Sequence, residues 1–161
     1  MQNTNTNLVG RMEKKRIVVD TTAVISYFSH VFEKGSQIEK EGISIINDAF
    51  TSDDKIIMII PSIVFVEIFD KWFLERNEEF RDKFMAEVFL PIQNSNNIEI
   101  REIDDEVIEE FIKLYDKDIA LEQHDKIVLA SAIVLKADLI TSDKKLISFN
   151  HKHKKLISII K

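Results

Sequence analysis

The sequence predicts an α/β fold in which helices surround a largely parallel sheet of four to five strands. Short apolar runs, several rich in β-branched residues, alternate along the chain with longer segments of helical spacing. Several of these runs are continuously apolar, as in strands that are covered on both faces. No repeat or linker interrupts the alternation, so residues 15–161 are expected to form one domain.

Four segments carry the strand pattern, and a shorter fifth follows them. The run at 16–20 ends in an acid, and the run at 56–60 is stopped by Pro61. Segment 98–103 alternates apolar and polar residues, which indicates a strand nearer an edge. The remaining predicted strands are 137–141 and 156–160.

Segments of helical spacing lie between these strands, and several begin near residues that can cap a helix. The expected caps are Thr21 or Thr22, Ser62, and Asp104 or Asp105. Pro91 is expected to lie just beyond the end of one helix. Segment 125–136 is apolar nearly all round, which predicts a buried helix. The predicted helices are 23–32, 38–50, 62–76, 78–90, 105–115, 125–136 and a short segment from Asp143.

The N-terminal segment, residues 1–14, is polar and aperiodic, so a disordered tail is expected. Translation could begin at Met1 or at Met12. This segment has no apolar signal core, and no apolar run approaches the roughly 20 residues of a membrane span. We therefore expect a cytoplasmic protein without membrane contact.

Composition excludes several classes of site. The 161 residues include no cysteine, which excludes disulfides, thiolate zinc sites and cysteine nucleophiles. The only three glycines, Gly10, Gly35 and Gly42, cannot form the glycine-rich loops of dinucleotide-binding folds or P-loop enzymes. Any phosphate chemistry must use another kind of site.

The net charge of −6 is distributed unevenly. Residues 144–161 carry six lysines and no acid, so the rest of the chain carries −12. One interpretation is a solvated acidic surface with a basic tail. The other is that the acids gather metal ions while Lys144 and Lys145 contact a phosphate backbone, with a weaker contribution from Lys152, Lys154 and Lys155.

Four acids occupy related places in the predicted elements. Asp20 ends the first strand, and Asp143 follows the fourth. Glu67 lies about one and a half turns into the helix after the second strand, and Asp125 opens the buried helix. Because ligands bind outside the carboxyl ends of parallel strands, we expect these side chains to converge there. Each acid also has a structural alternative: Asp20, Asp125 and Asp143 could be helix caps, and Glu67 a surface residue.

Four converging carboxylates would repel one another, and a divalent cation would remove that penalty. Oxygen donors without cysteine and with few histidines favour Mg²⁺ or Mn²⁺. Such an ion can activate a water molecule and stabilise charge on an attacked phosphodiester. Four carboxylates at one sheet edge therefore point to hydrolysis without a protein nucleophile.

Four segments of the sequence resemble the motifs of PIN-domain nucleases, most closely VapC-type toxins of prokaryotic toxin–antitoxin pairs. These segments are 17–22, 61–67, 124–132 and 137–143, and the resemblance spans 16–149. It implies a three-layer α/β/α fold and a Mg²⁺- or Mn²⁺-dependent endoribonuclease that cuts RNA. The metal ligands would be Asp20, Glu67, Asp125 and Asp143, with Thr141 as a polar support. The resemblance further implies a homodimer and a small antitoxin as inhibitor.

Other interpretations remain open. A non-catalytic RNA- or protein-binding module is the main alternative, although such a module has no need for clustered acids. A haloacid dehalogenase-type phosphatase would need an aspartate at the position of Thr22. The pair His151 and His153 could bind metal, but solvated side chains beside several lysines are the simpler interpretation.

The helix predicted at 62–76 carries two apolar stripes. One contains Val66, Phe69 and Phe73, and the other Phe65, Ile68 and Trp72. One stripe is expected to pack on the sheet. The second packs either under the helix at 78–90, with its Phe80, Phe84 and Val88, or against another chain.

Overall fold

The computed structural model describes residues 13–51, 55–73 and 77–161. The predicted tail therefore lies outside the described residues except for its last two positions. No helix within the described ranges is long and apolar enough to cross a membrane.

The sheet has five strands in the order β3-β2-β1-β4-β5, and every neighbouring pair is parallel. The prediction of a largely parallel sheet flanked by helices is confirmed. The third strand lies at one edge, as its alternating pattern indicates. The strands are β1 (Lys15–Val19), β2 (Ile56–Pro61), β3 (Ile98–Arg101), β4 (Asp138–Ile140) and β5 (Ile159–Ile160).

Helices connect the strands in the order expected for parallel pairing. Between β1 and β2 lie α1 (Thr21–Tyr27), α2 (Ser29–Phe32) and α3 (Lys40–Phe50). Between β2 and β3 lie α4 (Ser62–Trp72), α5 (Glu78–Phe84), a π-helical segment (Met85–Phe89) and α6 (Leu90–Gln93). The remaining helices are α7 (Asp105–Lys113), α8 (Gln123–Leu135) and α9 (Lys144–Lys152).

Several predicted helix boundaries are wrong, and local hydrogen bonding explains one of the differences. The helix predicted at 23–32 is interrupted at Phe28, between α1 and α2. The helix predicted at 78–90 continues to Gln93 because a π-helical turn precedes Pro91, where the N–H of Leu90 donates to the carbonyl of Met85. Pro91 then lies in the first turn of α6, where the absence of its N–H costs few hydrogen bonds.

Helix α4 also differs from its prediction. It ends at Trp72 rather than near residue 76, and Ser62 is its first residue rather than a side-chain cap. Phe65 and Ile68 are buried, whereas Val66 and Phe69 are 54% and 43% exposed. The Phe69 ring still contacts the rings of Phe73 and Phe84. The stripe with Phe65 therefore faces the core and the other is only partly covered; the side chain of Trp72 lies outside the described part of the chain.

The strand order creates a switch point beside β1. From β1 the chain moves outward through β2 and β3, then returns to place β4 on the opposite side of β1. The crevice at the carboxyl ends of β1 and β4 is therefore the expected ligand site of this sheet. Buried apolar residues at the centre fix these two strands, among them Val18, Val19, Leu139 and Ile140.

Two buried polar contacts hold the last elements in place. The side chain of Asn150, near the end of α9, donates to the carbonyl of Ile157 at 3.0 Å and accepts from its N–H at 3.1 Å. Both contacts satisfy backbone groups in the segment that leads into β5. As a result, α9 is fixed at one end by Asn150 and at the other by the crevice.

Candidate active site

The pairing of β1 with β4 places Asp20 next to Thr141. Val19 lies opposite Ile140, and the N–H of Asp20 donates to the carbonyl of Ile140 at 3.3 Å. The hydroxyl of Thr141, which is fully buried, donates to the carboxylate of Asp20. The same hydroxyl oxygen accepts the N–H of Asp143 at 3.0 Å. Thr141 thus links the two acids that follow the central strands.

Asp20 and Asp143 each cap a helix as well as facing the crevice. Asp20 caps α1 by accepting the N–H of Ala23 at 2.7 Å, so the prediction that Thr21 or Thr22 caps this helix is wrong. Thr22 instead donates its hydroxyl to Asp20 at 2.8 Å. Asp143 caps α9 by accepting the N–H of Leu146 at 2.8 Å. Structural and site-facing interpretations of these two acids are therefore compatible.

Glu67 enters the crevice from the second turn of α4. Its side chain is buried, and it accepts hydrogen bonds from the hydroxyl of Thr21 and the ammonium group of Lys71. Lys71 lies one turn after Glu67 on the same helix face. Burial acts to lower the pKa of Lys71, but the bond to Glu67 and the charges of Glu67, Glu122 and Asp125 raise it above its ordinary value. This lysine partly neutralises the acids around it.

The start of α8 contributes two acids, one of which sequence reasoning missed. Asp125 lies in the first turn, and Glu122 is the residue before the helix. Their spacing of three residues places both on one side of the helix start. That spacing is visible in the sequence, but Glu122 precedes the PIN-like segment at 124–132 and otherwise looks like any surface acid.

All four predicted acids line one cavity of about 400 Å³, which we call the acidic cavity. Glu122 lines it as well, so five carboxylates face three ammonium groups, those of Lys71, Lys144 and Lys145. Gln37, Thr21, Thr22 and Ser142 supply further polar groups. The sequence-based expectation of convergence at this sheet edge therefore agrees with the positions of all four side chains.

Burial, with added repulsion from neighbouring acids, raises the pKa of two of the carboxyl groups. Burial raises the pKa of Asp20 to about 6, while hydrogen bonds from Thr141, Ala23 and Thr22 oppose the rise and the charge of Asp143 adds to it. Burial also raises the pKa of Asp125 to about 7, with added repulsion from Asp143, Glu67, Glu122 and Asp20. A cation in the cavity would relieve this repulsion.

The donor set suits a hard divalent ion in its chemistry, because carboxylate oxygens are the ligands that Mg²⁺ and Mn²⁺ prefer. Within the described ranges, no group of three or more histidine, aspartate or glutamate side chains is arranged so that it could hold a metal ion. Hydrogen bonds to Thr21 and Lys71 hold Glu67, and three donors hold Asp20. A bound ion therefore requires some of these bonds to be exchanged for metal contacts.

The predicted basic residues are in two different situations. Lys144 and Lys145 are exposed and make no ion pair or hydrogen bond with another described residue through their ammonium groups. Lys152, in contrast, pairs with Asp116 and Asp118 at 2.8 Å. His153 also pairs with Asp116, at 2.9 Å, and stacks on Phe149. The first two lysines are thus the more available for a ligand.

The raised pKa values predict that stability falls as the pH rises. Between about pH 4 and 7, the folded protein binds more protons at Asp20 and Asp125 than the unfolded chain does, so its free energy of unfolding decreases through that window. For Asp20 alone the shift corresponds to on the order of 3 kcal/mol. Urea unfolding in the absence of divalent metal should show this slope, and Asp125→Asn should flatten it.

The matched control is Asp82→Asn, which removes an exposed acid outside the cavity. This variant should keep the wild-type slope. An equal slope in wild type and Asp125→Asn would contradict the assignment of a raised pKa to Asp125.

The comparisons with known proteins agree with this architecture. The sequence matches the family model of the PIN domain over residues 17–152, whereas a comparison with curated proteins finds no match. One similar solved chain belongs to VapBC2 from Rickettsia felis bound to a DNA fragment from their promoter, with 17% identity, a TM-score of 0.59 and coverage of 89% of this chain and 96% of that chain.

Two further solved chains show the same fold. One belongs to FitAcB from Neisseria gonorrhoeae, with 14% identity, a TM-score of 0.62 and coverage of 90% of this chain and 96% of that chain. The other belongs to a toxin–antitoxin complex from Klebsiella pneumoniae, with 19% identity, a TM-score of 0.50 and coverage of 80% and 88%. Since the family model spans most of the sequence, this protein belongs to the PIN domain family.

Proposed function

We propose that this protein is an endoribonuclease that hydrolyses RNA phosphodiester bonds with Mg²⁺ or Mn²⁺. The observation that carries this proposal is the acidic cavity, where five carboxylates meet at the carboxyl ends of β1, β2 and β4. Their mutual repulsion favours a cation there. PIN domains are generally nucleases, which supports the choice of reaction.

Asp20, Glu67, Asp125 and Asp143 would hold the metal. When bound, a divalent ion of this kind lowers the pKa of a water molecule and stabilises negative charge on an attacked phosphate. The chain itself contributes orientation. Thr141 holds the carboxylate of Asp20 and the backbone of Asp143 together, and Lys71 binds the carboxylate of Glu67.

Lys144 and Lys145 would hold the RNA backbone at the rim of the acidic cavity. They follow the site acid Asp143 directly and have no carboxylate partner within the described ranges. A cation in the first turn of a helix opposes the helix dipole, so its position has a small structural cost. A bound phosphate would offset that cost, and the two lysines would screen the RNA from the surrounding acids.

A toxin that assembles with a small antitoxin, and with a second copy of itself, is the narrower form of this proposal. Structures similar to this chain come from toxin–antitoxin complexes. Exposed apolar side chains on α4, the π-helical segment and α6 are candidates for such a contact: Val66, Phe69, Met85 and Leu90 are each more than 40% exposed. We call these four residues the α4 face.

Asp143→Asn should lower RNA cleavage by more than about 100-fold while the fold persists, because it removes a ligand charge and little packing. Asparagine caps helices as well as aspartate does, so α9 should remain intact. Asp20→Asn should behave in the same way. The measurement is cleavage of a panel of structured RNAs with and without added Mg²⁺ or Mn²⁺, together with a thermal melt.

Asp104→Asn is the matched control. Asp104 caps α7 just as Asp143 caps α9, but it lies outside the acidic cavity. Its substitution should leave cleavage unchanged. Undiminished cleavage by Asp143→Asn would show that the acidic cavity is not where the chemistry occurs.

Lys144→Ala combined with Lys145→Ala should weaken RNA binding for all sequences alike. The dependence of log affinity on log salt concentration should become shallower by roughly one unit for each phosphate that is no longer neutralised. Fluorescence anisotropy at several salt concentrations measures both effects. Lys40→Ala, at the exposed start of α3, should leave affinity and slope unchanged; if the double variant also leaves them unchanged, the two lysines do not contact RNA.

Val66→Lys combined with Phe69→Lys should convert a self-associated protein to a monomer, because each change places a charge on the α4 face. Light scattering at micromolar concentration measures the mass. Ile112→Lys, a highly exposed apolar residue of α7, is the control and should leave the assembly intact. If the wild-type protein is a monomer and also binds no small protein encoded by a neighbouring gene, both self-association and antitoxin binding through the α4 face are contradicted.

A further inference from the structure

A second cavity, of about 490 Å³, adjoins the acidic cavity. One wall is the loop before α8, with Asp118, Ile119 and Ala120, and the other is the exposed face of α9, with Ser148. Lys144 and Lys145 line both cavities, so the two cavities share this pair of lysines. We call the second cavity the loop groove.

The loop wall of this groove is held in place by a network centred on Asp116. Its carboxylate accepts the N–H groups of Asp118 and Ile119 at 2.8 and 2.9 Å, which closes a tight turn. Lys152 and His153 bind the same carboxylate from the end of α9. The groove is therefore formed before any ligand arrives, which reduces the entropy lost on binding.

The surface of the groove combines positive charge with a small apolar wall. The ammonium groups of Lys144 and Lys145 have no acidic partner among the described residues, whereas Asp118 is already paired with Lys152. Ile119 and Ala120 supply apolar contact, and Ser148 supplies a hydroxyl group. A ligand that is anionic at one point and has a flat, largely apolar body matches these properties, and a nucleotide within an RNA strand is such a ligand.

Building on the ribonuclease function proposed above, we propose that the loop groove binds the nucleotide next to the one whose phosphodiester enters the acidic cavity. The two lysines then bind the phosphate between the two nucleotides. A protein segment fits the groove less well, because its apolar wall consists of only two residues and a stable protein contact needs a larger apolar centre. The groove lies on one side of the acidic cavity, so it accepts the strand on one side of the cut only.

The test compares short RNAs that extend the cleaved dinucleotide on its 5′ side or on its 3′ side. With wild-type protein, one added nucleotide on the side served by the groove should raise kcat/KM about tenfold, equal to about 1.4 kcal/mol. Ser148→Glu should abolish that gain while cleavage of the dinucleotide stays near the wild-type rate. Ala120→Gln, which adds volume from the opposite wall without charge, should act in the same direction.

Ser44→Glu is the matched control, since it makes the same change on an exposed helical serine outside both cavities. It should keep the full gain from the added nucleotide. If Ser148→Glu and Ala120→Gln also keep it, the groove does not bind RNA. If they keep it but no longer bind a protein partner, the groove is a protein contact instead.

The same experiment separates this inference from the function on which it rests. Wild-type protein that cleaves the dinucleotide, with equal kcat/KM for every longer RNA, overturns the groove assignment and leaves the nuclease intact. If the wild-type protein neither cleaves nor binds RNA of any length, the proposed function is overturned, and the groove assignment with it.

Discussion

The parallel pairing of β1 with β4 is the constraint on which the site depends. These strands are far apart in sequence, and their register alone brings Asp20 beside Thr141 and Asp143. A shift of one residue in that register would turn the side chains of β4 to the opposite face of the sheet. The apolar residues that are buried in both strands fix the register, so the packing of the core determines where the acids lie.

The acidic cavity lowers the free energy of unfolding that the packing of the core provides. Burying carboxylates close together raises the free energy of the folded state at neutral pH, which the raised pKa values of Asp20 and Asp125 express. Lys71 offsets part of this repulsion from within the same helix as Glu67. A lysine ammonium is a suitable temporary partner, because it neutralises charge without the fixed geometry of arginine. Lys71 therefore reduces the repulsion among these acids in the folded protein.

The acids that follow strands, and the two acids in the PIN-like helical segments, could be predicted from the sequence, whereas Lys71 and Glu122 could not. Asp20 and Asp143 follow short apolar runs, and the position of such acids in a parallel sheet is decided by topology. Lys71 and Glu122 carry no comparable signal, because charged residues on helix surfaces are common and only the tertiary fold shows which ones face a cavity. A π-helical turn accounts for one further difference, because it lets the helix continue through Pro91. The loop groove has no sequence signal either, because it depends on how Asp116 folds the loop before α8 against the end of α9.

The double role of Asp20 and Asp143 has a consequence for how this sequence can evolve. Glutamate at either position would keep the charge but form a poor helix cap, so drift between the two acidic residues is restricted. Asparagine would keep the cap and discard the charge, and it also relieves the repulsion among buried acids. If these acids hold a catalytic metal as proposed, a single substitution can therefore remove the activity and leave a protein at least as stable as its ancestor. Selection for folding alone would retain such a chain. Under the proposed function, its descendants could bind RNA without cleaving it.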